Sequence, residues 1–398
     1  MAELLSPAGD MERLKSSVLF GADAVYLGGN SFGMRTAPKN FGDDLREAVE
    51  YAHAHGVQVY LTCNILPHSD EIQRLPGFLQ NAADCGVDAF IISDLGALTI
   101  AKQAAPQVPV HISTQAGIVN YATANVFYEM GASRVILARE LSLEEISTIR
   151  AKTPSDLEIE TFVHGSMCVS FSGRCLLSSY LTGRDANRGD CAQPCRWKYR
   201  LVEENRPGEF LPIEEQDGGT YILNAEDLCM IEHLSQLEQA GVTSFKIEGR
   251  AKSAYYTSVV TGAYRAAMDF TKDHPEGPIP AWIVEELDKV SHRPYGTGFY
   301  FGQAGQETVK GGYTRNYQVI AVAEGWEEGR LLLTQRNRFF PGEEADCLPP
   351  RGKPFFLTIE DLQDEEGNAV EAAPHPMQRL SIRCEHPVQP GTLLRKKA

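Results

Sequence analysis

DDLREAVEYAHAHGVQVYLTC, residues Asp43 to Cys63, contains one full step of this chain's architecture. Leu45, Ala48, Val49 and Ala52 recur at spacings of three and four, the period of an amphipathic helix, and Gly56 stops the pattern. The run from Val57 to Cys63 is short, apolar and rich in Val, Tyr and Leu, as a buried strand is. The alternation recurs on both sides. Apolar runs lie at Glu3 to Pro7, Ala24 to Leu27, Val57 to Cys63, Ala89 to Ser93, Val110 to Thr114, Arg134 to Ala138, Ile159 to Val163 and Ser244 to Glu248. Helical stretches such as TANVFYEMGA separate them. Eight βα units with a closing helix from Tyr255 to Asp269 predict an α/β fold, a TIM (β/α)8 barrel over residues 1–270.

The repeat is interrupted once. About sixty residues (165–224) separate the seventh strand from a helix expected near Asn224, and an insertion this long in a βα loop is more often functional than structural. It leaves the C-terminal end of its strand, where the active sites of this fold sit. It also carries Cys168, Cys175, Cys191 and Cys195. Four thiolates in one stretch can close around a metal, and their spacing fits a structural zinc as well as an iron-sulfur cluster. The other five cysteines are scattered and read as small buried hydrophobes.

A disulfide framework is the rival reading, but such chains are usually short and core-poor. This one has 398 residues, 43% of them hydrophobic, enough for a large core. The start MAELLSPAGD has no basic or apolar leader, and no apolar run reaches the roughly 18 residues of a membrane span, so a cytoplasmic protein without a membrane partner is expected. A net charge of -16 speaks against general nucleic-acid affinity. From Gly165 to Arg200, however, six basic residues, Arg174, Arg184 and Arg188 among them, face two acidic ones. The cysteine segment is a basic island on an acidic chain, either a solvated loop or a phosphate footprint.

Residues 271–315 read as a Pro-rich linker (TKDHPEGPIP), a short helix and a Gly- and Tyr-rich stretch. From Asn316 to the end the period becomes two, predicting a small all-β, barrel-like domain over 316–398.

Same-parity residues of a barrel strand share a face. In FKIEGR this places Lys246, Glu248 and Arg250 inside. Glu158, Glu160, Phe162 and His164 are expected to share the inner face of the seventh strand, with Arg139, Glu140 and Gln115 at the ends of the sixth and fifth. Arg35, Arg139, Lys246 and Arg250 together suit a small substrate with carboxylates, which arginine grips bidentately, although a structural salt-bridge network would satisfy the same groups. His164 is a candidate ligand, acid-base group or core histidine. No H-E-x-x-H, G-x-S-x-G or Gly-rich phosphate loop occurs.

The stretch ETFVHGSMCVSFSGRCLLSSYLTGRDANRGDCAQPCRWKY resembles the signature of the collagenase-like peptidase family U32. The resemblance extends to ELLSPAGDMERLKSSVLFGADAVYLGG, FGMRTAPKNF and FKIEGRAKSAYYTSVVTGAYRAAMD, and so spans essentially the whole chain. Despite its name, the family includes oxygen-independent hydroxylases with a four-iron four-sulfur cluster. They act on wobble uridine of tRNA, on a cytidine of ribosomal RNA, or in quinone synthesis. The resemblance implies Cys168, Cys175, Cys191 and Cys195 as cluster ligands, prephenate as co-substrate, and a catalytic mouth around His164, Arg139, Glu140, Glu160, Lys246 and Glu248. Arg35, Gln115, Arg250, Arg174, Arg184 and Arg188 are the expected substrate contacts. The implied partners are the tRNA anticodon loop, the dicarboxylate donor, an electron donor and a second family member. Tyr180, Trp197 and Tyr199 are candidate base-stacking residues. The first expectation is prephenate-dependent 5-hydroxylation of wobble uridine. The alternatives are a peptidase pairing a cysteine with His164, a hydroxylase of ribosomal RNA or of a quinone precursor, and a non-catalytic scaffold.

Overall fold

The computed structural model describes residues 1–33, 40–167, 175–184, 190–194, 197, 201–202, 210–211, 225–305 and 313–398, with the backbone alone at 201–202 and 210–211. Eight parallel strands close into a barrel: β1 (Glu3–Pro7), β2 (Ala24–Gly28), β3 (Gln58–Cys63), β4 (Ala89–Ile92), β5 (Val110–Ile112), β6 (Arg134–Ile136), β7 (Glu158–Ser166) and, after the insertion, β11 (Ser244–Ile247). Each pairs with its neighbour in sequence, and the β7–β11 ladder completes the ring. This is the TIM barrel expected from the eight apolar runs.

Helices α1 (Met11–Leu19), α2 (Leu45–Ala54), α3 (Ser69–Ile72), α4 (Leu75–Asp84), α5 (Leu95–Ala104), α6 (Tyr121–Glu129) and α7 (Leu143–Ala151) alternate with the strands. Their starts follow local chemistry. Asp94, Asn120 and Ser142 accept hydrogen bonds from the backbone N–H groups of Ala97, Thr123 and Glu145, satisfying donors a helix leaves open. Glu145 returns the bond to Ser142 in a capping box. Val25, Leu27, Val59, Leu61, Phe90 and Ile92 are buried between these strands and the elements around them.

The insertion contributes helix α8 (Leu177–Thr182) and an antiparallel pair, β8 (Leu201–Val202) with β9 (Phe210–Leu211). The helix expected near Asn224 is not where the sequence pattern placed it. The chain first forms β10 (Asp227–Cys229), antiparallel to the end of β7, and α9 (Leu234–Gln239) follows a 3-10 turn. Leu228 and Met230 are buried there, so the apolar residues read as a helix start belong partly to a strand. β12 (Tyr295–Gly296), from the Gly- and Tyr-rich stretch, extends the sheet beyond β10.

The chain divides into two compact units, the first comprising Met1–Val18, Ala22–Lys252 and His292–Tyr313. The second comprises Leu19–Gly21, Ser253–Ser291 and Thr314–Ala398. It holds helices α10 (Ala254–Asp273) and α11 (Ala281–Leu287) and an antiparallel sheet. The sheet's strands are β13 (Tyr317–Glu327), β14 (Arg330–Gln335), β15 (Glu344–Leu348), β16 (Phe355–Thr358), β17 (Arg379–Arg383) and β18 (Leu393–Lys397). They are ordered β16-β15-β18-β13-β14-β17. The β13–β14 hairpin turns through Glu328 and Gly329, both at positive φ (47° and 82°), as a tight two-residue connection requires. Ile320, Leu331, Leu333, Phe339, Ile359 and Ile382 lie in this unit's apolar core. Fully buried Arg395 pairs with Glu286 of α11 (2.6 Å) and Asp346 of β15 (3.1 Å), fastening helix to sheet. Lys289 bridges the same two carboxylates at 2.7 and 2.8 Å.

Candidate active site at the barrel mouth

The barrel interior is polar and layered. Its lower half holds an ion network that opens to solvent at Glu158: Arg134 reaches Glu3 (2.7 Å), Glu158 (2.7 Å) and Glu160 (3.1 Å), and Lys246 donates to Glu160 at 2.6 Å. The Tyr60 hydroxyl donates to Glu3 at 2.5 Å, and Lys246 lies 4.5 Å from the centre of the Tyr26 ring. Burial works against the charge on Arg134, but Glu160 and Glu3 outweigh it and hold the guanidinium protonated. Burial lowers the pKa of Lys246, with Glu160 opposing it, and holds neighbouring His111 neutral. The parity reading places Glu160 and Lys246 correctly inside, but not at the mouth. Glu160 is level with Ser244, the first residue of β11, and is fully buried.

The mouth, at the C-terminal ends of the strands, carries a second set. Arg139 lies 3.8 Å from the Phe162 ring centre, donates to the Ser166 carbonyl (2.8 Å) and pairs with Glu248 (3.1 Å). Arg250 donates to Thr62 at 2.6 Å and is almost wholly buried. Glu140, partly exposed, follows Arg139. Just beyond the ends of β3 to β5 the described side chains that interlock are uncharged. Ser93 donates to the Asn64 carbonyl (3.1 Å) and to the side-chain oxygen of Gln115 (3.3 Å), and Asn64 donates to Ser113 (3.4 Å). The sequence reading named Gln115 but missed Thr62, Asn64, Ser93 and Ser113. Their signal was positional, each being polar at or just beyond the C-terminal end of its strand.

His164 departs from its expected inward position. Lys246 pairs with Phe162, but Ile247 pairs with His164, so a bulge inserts one residue into β7. An inserted residue reverses the facing of everything beyond it. Glu160 bonds Lys246 inside the barrel, while His164 shares the face of Ile247, opposite Lys246. It packs 5.3 Å from Tyr295, which stacks on His292 at 4.4 Å. Burial pushes the His164 pKa down to about 3, with nearby Asp227 opposing the shift. Asp227 pairs with buried Arg293 at 2.8 Å, and that arginine outweighs burial and keeps the carboxyl acidic. Sequence reasoning found none of Asp227, His292, Arg293 or Tyr295, which come together only through β10 and β12.

Arg35, Cys168, Arg174, Arg188, Cys195 and Tyr199 lie outside the described residues. Cys175 and Cys191 are partly exposed, and the Cys191 sulfur accepts the Gln193 backbone N–H at 3.3 Å. Arg184 pairs with Asp190 at 2.6 Å, next to that cysteine. Tyr180 and Trp197 are exposed, at 83% and 44%. Four sulfur donors in one segment fit a cluster or a zinc ion. No described helix is long and apolar enough to cross a membrane.

The family model described as Peptidase family U32 matches residues 9–310, and that for the Peptidase family U32 C-terminal domain matches 315–395. The chain is 37% identical to tRNA hydroxylation protein P1 of Bacillus subtilis, over 99% of this chain and 94% of the relative. It is 35% identical to tRNA hydroxylation protein P of Escherichia coli, over 94% and 91% respectively. A protein named collagenase from Porphyromonas gingivalis is 32% identical over 98% and 97%.

Proposed function

This chain belongs to peptidase family U32, and on that footing we propose that it is a tRNA-modifying enzyme that hydroxylates wobble uridine without molecular oxygen. The observation that carries the reading is a mouth with two preset arginines on a chain that matches tRNA hydroxylation proteins over nearly its full length. Arg139 is held by Phe162, Ser166 and Glu248, and Arg250 by Thr62, so neither needs reordering to meet an anion. A small dicarboxylate such as prephenate suits two such guanidiniums. Glu248 and Glu140 set the local charge beside them. Glu160 and Lys246, already paired with each other, serve as the barrel's internal frame.

Cys168, Cys175, Cys191 and Cys195 would hold a four-iron four-sulfur cluster, the Gln193 amide supporting Cys191. Such a cluster, when bound, supplies one-electron transfer. Zinc is the alternative occupant. The basic segment with Arg174, Arg184 and Arg188 would carry anticodon-loop phosphates, with Tyr180 and Trp197 offered to unstacked bases. Uracil must leave its stack to reach the mouth. An intracellular location, a separate electron donor and a pairing family member complete the proposal. The peptidase alternative fits less well, because His164 faces away from the mouth and burial, lowering its pKa to about 3, makes it a weak base for activating a cysteine.

The test is mass spectrometry of tRNA nucleosides from cells with and without the gene, with rescue by wild type and by Cys191→Ala. The expected result is loss of an oxygenated uridine on deletion, restored by wild type only. Unchanged nucleosides, with no redundant homologue present, would overturn the reading and return the weight to the peptidase, ribosomal-RNA and quinone-precursor alternatives.

A further inference from the structure

The two sides of the mouth differ in chemistry. Over β6, β7 and β11 stand Arg139 and Glu248, and Arg250 reaches from beyond β11 to Thr62 at the end of β3. Just beyond the ends of β3, β4 and β5, next to Arg250, the interlocked side chains Asn64, Ser93, Ser113 and Gln115 are neutral. Beyond them Leu66 (42%), in the loop after β3, and Leu95 (54%), at the start of α5, are exposed. Neutral hydrogen-bonding groups inside an apolar collar are poorly suited to carboxylate or phosphate. They suit a flat, uncharged ring with a polar edge.

We infer that this sector is the nucleobase pocket, and that Gln115, its amide oriented by Ser93, selects uracil over cytosine. The inference rests on RNA being the substrate. Uracil presents an acceptor at O4 and a donor at N3–H, whereas cytosine presents a donor at N4 and an acceptor at N3. A carboxamide has one acceptor and one donor end, so turned one way it matches uracil and turned the other way cytosine. A freely turning glutamine discriminates little, and a fixed one discriminates strongly. Ser93, itself 7% exposed, shares its one hydroxyl proton between the Asn64 carbonyl (3.1 Å) and the side-chain oxygen of Gln115 (3.3 Å), which favours the amide's oxygen on that side. The backbone N–H of Gln115 is tied to Ser113 at 3.4 Å. Among the described residues none accepts from the Gln115 amide nitrogen, and the side chain is partly exposed toward the mouth.

The experiment measures equilibrium binding of the full-length protein to two tRNA transcripts that differ only in uridine or cytidine at the wobble position. One well-formed pair of hydrogen bonds to a base edge discriminates by roughly five- to a hundredfold. Wild type is expected to prefer uridine within that range. Gln115→Leu is expected to bring the two affinities within about twofold, and Ser93→Ala to narrow the gap partway, while general affinity persists through phosphate contacts. Gln115→Glu, close in shape, keeps an acceptor but lacks the donor for O4 and provides the same test if the leucine variant does not fold. Equal binding of both transcripts by wild type, or unchanged preference in a folded Gln115 variant, would overturn the inference while leaving tRNA hydroxylation standing. Failure of wild type to bind either transcript would instead sink the functional reading itself.

Discussion

Replacing Lys246 with methionine probes whether the charged interior is scaffold or catalyst. The ammonium lies 2.6 Å from Glu160, which is fully buried. At an effective dielectric of about 20 the gross attraction at that distance is about 6 kcal/mol. Removing the lysine also removes its own desolvation cost, so the net loss should be the roughly 3–5 kcal/mol typical of a broken buried pair. Arg134, 3.1 Å from Glu160, limits the loss because it still faces that carboxylate. Neutralising the partner as well, in Lys246→Met with Glu160→Gln, should recover about 2 kcal/mol, a coupling within the range seen for contacting residues. Urea unfolding at pH 7 of wild type, both single variants and the double variant closes this cycle. Additive effects within about 0.5 kcal/mol would refute the pairing argument. A single variant of wild-type stability that nevertheless lost activity would move Lys246 from the frame to the chemistry.

Two further outcomes follow from other buried charges. His164, at about 3 in the folded chain against an ordinary 6.5, stays neutral while the unfolded chain takes up a proton. Its contribution to stability is therefore full above pH 6.5 and is lost at up to about 1.4 kcal/mol per pH unit as pH falls toward 3. His111 acts in the same direction, so His164→Gln should flatten, without abolishing, the slope of urea midpoint against pH between 6 and 4. An unchanged slope would refute the assignment. In the second unit, Arg395→Met leaves Glu286 and Asp346 with Lys289 alone. Unfolding of that unit should become easier by about 3–5 kcal/mol, partly restored by adding Glu286→Gln, and a change below 1 kcal/mol in the single variant would show the pair to be dispensable.

The barrel was legible because each βα unit states its period locally: Leu45, Ala48, Val49 and Ala52 recur at helical spacing until Gly56, and Val57 to Cys63 is a short apolar run. Parity also assigned Lys246, Glu160 and Arg250 to the interior. Parity fixes a face, however, and not a height. Glu160 and Lys246 lie low, whereas Arg250, later in its segment, reaches Thr62 at the mouth. The Asp227–Arg293 pair spans 66 positions in sequence and depends on the β10–β12 ladder, which no local pattern announces. Asn64, Ser93 and Ser113 were hidden for a different reason, because polar residues after strands look like ordinary turn residues.

The bulge in β7 explains how one strand serves two purposes. A regular strand would keep His164 facing inward, in the space now bounded by Phe162 and Arg139. With one residue inserted, β7 stays bonded to β11, the Glu248 N–H reaching the His164 carbonyl at 2.9 Å, while Gly165 and Ser166 pair antiparallel with β10. Gly165 makes this possible: its φ is +112°, and a Cβ there would stand 2.6 Å from the Glu248 carbonyl oxygen. The turned backbone presents the Ser166 carbonyl to Arg139 two residues before Cys168. Arg139 is thus bonded at once to the root of the cysteine segment and to Glu248 across the mouth. A shift of that root by a fraction of an ångström would be felt directly by the guanidinium proposed to hold the dicarboxylate, so the single inserted residue ties the two halves of the site together.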